Sequence, residues 1–225
     1  GSVVRSSGES DLGGNATSGV PAALNRAIER ATSEYVLLLD ENVCAFGGPD
    51  WLDEMVGPLA CGDAACVGAK VIRTDGSIAC AGYLVGGERL LARVYEGYPA
   101  RAMGYYEYNV LPHRASAVSG ACLMVRRDDV ACGLDEDLPT TFDVALCLRL
   151  ARSGGAVLQQ NNVLVELADA PMRRTSAGSR AEGVRESALL VSRFPEEFSR
   201  RDPYYTPNVG EGNLYFGYAE GASRR

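Results

Sequence analysis

The six residues Tyr35-Val36-Leu37-Leu38-Leu39-Asp40 constrain the fold more than any other stretch of this chain. Its apolar residues follow one another without alternation, so neither face of the segment is written for water. In a β-strand successive side chains point to opposite faces, and a continuous apolar run therefore belongs to a strand covered on both sides. Such strands occur where helices flank a sheet. The run closes on an acid, with Glu41 and Asn42 beyond it. In open α/β sheets ligands gather at the carboxyl ends of the strands, so Asp40 stands where a site is to be expected.

The surrounding sequence repeats the alternation. Pro21 to Ile28 reads as a helix, with proline in its first turn and Ser18 in position to cap it. Asp50-Trp51-Leu52-Asp53 has the form of a capping-box start for a helix running to Leu59. Val67–Ile72 and Ile78–Val85 read as strands across an Asp75-Gly76 turn. Ala115–Val125 resumes as a strand, Phe142–Arg152 as a helix stopped by Gly154-Gly155, and Ala156–Val165 as a last strand or two. This order predicts an α/β fold with a mixed, mainly parallel sheet flanked by helices.

Two stretches break the pattern. From Glu88 to His113 glycine and tyrosine abound and no period holds, so a long loop serving as a lid or binding segment is expected. Its tyrosines (Tyr95, Tyr98, Tyr105, Tyr106, Tyr108) suit sugar faces and protein interfaces alike. Beyond Ala170 arginine, serine and glutamate take over, with one helix expected from Ala181 to about Phe194 and a tail after it. The expected division is an α/β core over 1–170 and a C-terminal helix with an extended tail over 171–225.

Composition excludes several functions. A net charge of −7 over 225 residues argues against general nucleic-acid binding, because nothing concentrates positive charge enough to displace counterions from phosphates. Lys70 is the only lysine. Seven cysteines and one histidine, His113, lack the spacing of a zinc site. Reduced, mostly buried thiols are expected, and His113 reads as a surface or hydrogen-bonded polar residue. No apolar run reaches the roughly 18–20 residues that span a bilayer, and no secretory signal is visible. A cytoplasmic chain is expected, reaching the inner face of the membrane through partners. Asn15-Ala16-Thr17 fits a glycosylation sequon, to which the missing signal gives little weight.

Four segments, in order, resemble the bacterial family 2 glycosyltransferases, enzymes of the glycosyltransferase-A (GT-A) fold. They are Ala23-Leu24-Asn25-Arg26-Ala27-Ile28 with Glu34 to Asp40; Ala117 to Arg127; Gly133 to Leu138 with Phe142 to Arg149; and Asp202-Pro203-Tyr204-Tyr205-Thr206-Pro207-Asn208. The resemblance implies a nucleotide-sugar donor, a glycan acceptor, a divalent Mg²⁺ or Mn²⁺, and an Asp acting as base on the acceptor hydroxyl. It places Asp40 and Asn42 at the metal, Asp143 as the base, Ser119-Gly120-Ala121 beside the donor sugar, and Asp135-Glu136-Asp137 toward the acceptor.

The chain departs from the family pattern at several of these points. Asn42 replaces a carboxylate, Leu167 or Ala168 falls where the family has histidine, and Ala145 replaces a second acid. Each site residue also has a plain structural reading: Asp143 in a helix's first turn, Ser119–Ala121 in tight packing, Asp135–Asp137 as a solvated turn. Before Tyr35 stand 34 residues, room for a short strand near Val3-Val4 and one helix. A full nucleotide-binding half, at roughly 30 or more residues per βαβ unit, does not fit there. The expectation is a GT-A-like domain of polysaccharide biosynthesis, incomplete and degenerate, with weak or no sugar transfer by itself and a neighbouring transferase domain or subunit as partner. The alternative is an active metal-dependent transferase. An Asp143→Asn change is expected to leave the melting temperature nearly unchanged.

Overall fold

Strand β2 (Tyr35–Asp40) is buried from Val36 to Asp40, as its unbroken apolar run requires. The computed structural model describes residues 2–6, 19–87, 90–168 and 180–205. On one side β2 pairs in parallel with β1 (Ser2–Ser6), and α1 (Val20–Arg30) links the two. On the other side it meets β9 (Cys122–Arg126), which runs antiparallel to it. β9 is in turn antiparallel to β4 (Cys66–Arg73), which pairs in parallel with β10 (Val157–Leu167). The sheet is thus mixed, but β1, β2, β4 and β10 all run one way and their carboxyl ends share an edge. β3 (Val43–Gly47), apolar from Val43 to Phe46 yet nowhere fully buried, closes the far side against β10.

Helices cover the sheet. α1 buries Pro21, Ala22, Leu24 and Ile28, but its N-cap is Gly19, not Ser18. α2 (Trp51–Ala60) begins after Asp50, which makes no side-chain capping bond. Asp53 and Glu54 in its first turn suit the helix dipole instead. Arg126 binds the carbonyls of Leu59 and Ala64 at the other end of that helix. α4 (Phe142–Arg152) follows the short α3 (Arg127–Val130) and has the bounds read from sequence. α5 (Arg180–Arg193) and α6 (Pro195–Ser199) add Leu190, Phe194 and Phe198 to the main core.

Two expected strands are shorter than their apolar runs. Ile78–Val85 breaks at Gly82 (φ +95°) into β5 (Ile78–Cys80) on β4 and β6 (Tyr83–Val85) in a separate hairpin with β7 (Leu91–Arg93). Ala115–Val125 is regular strand only from Cys122; its first half crosses from β8 (His113–Arg114), with Ala117 bridging to Tyr83. Four of the seven cysteines are buried and three exposed.

The tyrosine-rich stretch is not an open lid. Ile78, Ala81, Val94, Tyr95 and Tyr205 form a second small core, with Tyr98, Tyr105 and Tyr108 packed on it. Tyr106 is the exception, 85% exposed. Lys70 fastens this layer to β4 by donating to the Asn109 carbonyl at 2.6 Å, and burial lowers its pKa to about 8. Asn161 donates to the carbonyls of Tyr108 and Leu111. His113 lies half-buried under the Tyr108 ring, 3.7 Å between centroids, with Nδ1 3.1 Å from the Leu111 carbonyl. Its Nδ1 bond fits the reading of a hydrogen-bonded polar residue, while Nε2 is buried without a hydrogen-bond partner among the described residues.

The tail motif explains itself here. Asp202 accepts from the backbone N–H of Val85 at 2.8 Å and of Tyr204 at 2.9 Å, and Tyr205 enters the second core. Its close approach to the hairpin depends on Gly86, at φ +88°, where an added Cβ would meet the Arg200 carbonyl oxygen at 2.2 Å. Thr206 to Asn208 and the sequon lie outside the described residues.

Two outcomes follow. Gly86→Ala should release the tail, seen as faster tryptic cleavage near Arg200 and Arg201 while the rest of the chain resists; unchanged cleavage would disprove the docking. Burial lowers the His113 pKa to about 4, against about 6.5 in an unfolded chain. The unfolded state therefore takes up the proton first, and stability falls as pH drops from 6.5 toward 4, by on the order of 3 kcal/mol from this residue. The loss of melting temperature over that window should be smaller in His113→Gln than in wild type.

Candidate functional site

The carboxyl edge of the sheet opens into a narrow cleft lined by Asp40, Tyr83, Arg93, Ser119, Gly120, Ala121, Thr140, Phe142, Asp143 and Leu167. Five of the residues singled out in the sequence meet there: Asp40, Ser119, Gly120, Ala121 and Asp143. The reason is topological. β9 runs against β2 and β4, so the turn that precedes it lies beside their ends, and the Asp40 N–H donates to the Ala121 carbonyl at 2.9 Å.

Asp143 occupies the first turn of α4 and is 6% exposed. One carboxylate oxygen accepts the Gly120 N–H at 2.9 Å and the other the Val144 N–H at 2.8 Å. Charge-assisted bonds of this kind fix the carboxylate, and the helix dipole favours its ionised form. Close approach requires the glycine: a Cβ on Gly120 would lie 2.9 Å from that of Asp143. Ser119 Oγ accepts the Ala121 N–H at 3.2 Å. The small-residue turn therefore packs tightly and also binds the acid.

Asp40 and Asn42 close on each other. Asp40 Oδ1 accepts both the Asn42 backbone N–H at 3.0 Å and its side-chain amide at 2.8 Å. Leu167, one of the two positions (with Ala168) where the resemblance expects a histidine, lines the cleft. Ala145 is buried.

The acidic triplet is placed elsewhere. Asp135 and Asp137 both pair with Arg193 of α5, the second at 2.6 Å, and Glu136 accepts the Asn25 amide at 2.9 Å. Asn25 also holds Leu134 through its backbone N–H at 2.6 Å and carbonyl at 3.0 Å. The triplet braces α1 and α5; none of the three lines the cleft.

Tyr83, Arg93, Thr140 and Phe142 line the cleft and were missed in the sequence. Thr140 and Thr141 are held by Glu186 of α5, a carboxylate only 9% exposed. Its oxygens accept the Thr140 N–H at 2.8 Å, Thr140 Oγ at 2.7 Å and Thr141 Oγ at 2.8 Å. Thr141 directly before the helix was the available signal, since threonine favours N-caps. Nothing in the sequence marked Glu186 or Arg93.

No protein-family model matches the chain. It is 32% identical over 196 residues to the uncharacterized protein y4gI of Sinorhizobium fredii, and 28% identical over 199 residues to the O-antigen biosynthesis protein RfbC of Myxococcus xanthus. It is also 29% identical over 150 residues to the pre-mycofactocin glycosyltransferase of Mycobacterium tuberculosis. These matches cover 82%, 84% and 65% of this chain but only 21%, 15% and 29% of the relatives, so the chain spans less than a third of their length. Among solved structures, GalNAc-T7 with UDP, GalNAc and Mn²⁺ superposes with a TM-score of 0.53 at 15% identity, over 77% of this chain and 34% of that one. The fold is that of the GT-A glycosyltransferases. Among the described residues, no helix is long and apolar enough to cross a membrane.

Glu186→Ala should strip three donors of their acceptor and lower the melting temperature. A cost of about 2–3 kcal/mol for unsatisfied buried groups corresponds to roughly 4–12 °C in a chain of this size. Glu186→Gln, which keeps one acceptor oxygen in place, should lose far less; calorimetric scans of the two variants compare them.

Proposed function

We propose that this chain is a glycosyltransferase-type domain of polysaccharide or other glycan assembly, binding a nucleotide sugar and using Asp143 as base on an acceptor hydroxyl. The observation that carries this reading is the Gly120–Asp143 bond. It seats an oriented carboxylate in the cleft, against a turn bare enough for a sugar to approach. A base must reach the proton it removes, and geometry comes before pKa in judging one. The names of the relatives, one for O-antigen biosynthesis and one for a glycosyltransferase, support glycan assembly.

The same reading treats the metal position as degenerate. Mg²⁺ and Mn²⁺ seek hard, preferably anionic, oxygen donors. Asp40 offers one carboxylate, whose Oδ1 already takes two N–H groups from Asn42, and Leu167 offers no donor. This set does not fit a divalent cation, and no step is assigned to one. Transfer by this chain alone is then weak or absent, and a neighbouring transferase domain or subunit supplies further donor contacts, on the cytoplasmic side of the membrane. Metal-dependent transfer is the second reading, favoured by the Mn²⁺ and UDP in the GalNAc-T7 structure of the same fold.

The test is binding and turnover with UDP-, GDP- and dTDP-sugars. Heat of binding with at least one donor is expected; none at millimolar concentration would sink the reading. Any turnover detected should fall roughly 100-fold or more in Asp143→Asn, as removal of a general base requires. Because both oxygens of Asp143 are bonded in a buried site, the substitution should also cost about 1–3 kcal/mol and roughly 2–12 °C. The two bonds thus lead to a larger expected shift in melting temperature than the residue's place in a helix's first turn suggests by itself. Turnover measured well below the transition and equal to wild type would remove Asp143 from the role.

A further inference from the structure

The poor metal set leaves open what would meet the negative charge of a nucleotide donor. Among the described residues, Arg93 is the cation that lines the cleft, alongside Asp40, Ser119, Gly120 and Asp143, and it is 8% exposed. It comes from β7, opposite Tyr83 on β6, which also lines the cleft. The hairpin is fixed to the core: the Tyr83 N–H donates to the Ala117 carbonyl at 2.8 Å, and the Val94 N–H to the Gly82 carbonyl at 2.9 Å. Asp202 and the tail hold its other end at Val85. The guanidinium is thus positioned before any ligand arrives, which lowers the entropy lost on binding.

Its charge is only partly matched. Arg93 Nη1 donates to Glu96 Oε1 at 2.9 Å, and the same oxygen receives Arg73 Nη2 at 3.0 Å. Two guanidinium groups therefore share one carboxylate that is 36% exposed. Burial opposes the charge on Arg93, but Tyr83, Cys80 and Glu96 outweigh it and push its pKa up, so it stays protonated. The two carboxylates of the cleft are turned onto donors of their own, Asp143 onto two backbone N–H groups and Asp40 onto Asn42. A guanidinium presents a rigid fork that matches phosphate oxygens two at a time, which a lysine does not.

We propose that Arg93 binds the diphosphate of a nucleotide donor in place of a divalent cation. This inference rests on the transferase reading and names the group that would grip its donor. The cleft then recognises a nucleoside diphosphate through a fixed side chain, and chelators leave that recognition intact.

Titration calorimetry with UDP, GDP and dTDP, in EDTA and then in Mn²⁺, tests it. At least one nucleotide should bind in EDTA, with Kd altered less than about 2-fold by Mn²⁺. Arg93→Ala should weaken that binding about 10-fold or more and Arg93→Lys less, the order expected for loss of a bidentate charged contact. Should Arg93→Ala fail to fold, Arg93→Gln keeps hydrogen bonding without charge and should show the same loss. Binding that appears only with Mn²⁺ and ignores position 93 overturns this proposal while sparing the transferase reading. No binding by wild type under either condition overturns both.

Discussion

Between β2 and β4, which run the same way, the sheet inserts β9 running the other way, so the beginning of β9 meets their ends. That reversal delivers the Ser119–Ala121 turn to the carboxyl edge. Asp40 is tied to it by a backbone bond, and α4 can bring its first turn against it only because position 120 carries no side chain. A parallel strand there would present its opposite end, and the small residues would lie on the far side of the sheet. The cleft is therefore a product of chain direction first and of side-chain chemistry second.

Once the edge is assembled, its acids are distributed by what each can bond to. Asp143 keeps a buried charge because two backbone N–H groups and a helix terminus meet it. Glu186 is bonded from the other side, by the two threonines that precede the same helix. Asp135 and Asp137, nearer solvent, pair with Arg193. Buried carboxylates without such partners would favour the neutral form or destabilise the fold. The C-terminal helix is accordingly part of the cleft's support, although it contributes none of the cleft's lining.

The second core plays the matching role for the opposite wall. Tyr95, Tyr98, Tyr105, Tyr108 and Tyr205 bury their rings against one another and against Ile78 and Val94. Lys70, the one lysine, secures them to the sheet through carbonyls. Aromatic side chains bury large areas and prefer offset or edge contacts, so a few of them can order a stretch that lacks repeating secondary structure. Packed on this core, strands β6 and β7 carry Tyr83 and Arg93 into the cleft.

The sequence by itself determined the elements whose burial is written into consecutive or periodic residues: β2, β4, α1, α4 and α5, and with them the fold class. It marked Asp40 as a strand end at the expected ligand edge, while Ser119–Ala121 and Asp143 were singled out only through the resemblance to the family 2 glycosyltransferases. It could not decide the direction of β9, since a strand buried on both faces has the same composition either way. Nor could it decide the partners of Asp135 to Asp137, the packing of the tyrosines, or the placement of Arg93 and Glu186. Those depend on contacts between residues far apart in the chain, such as Glu186 with Thr140 and Asp202 with Val85. Only the folded chain brings them within hydrogen-bonding distance.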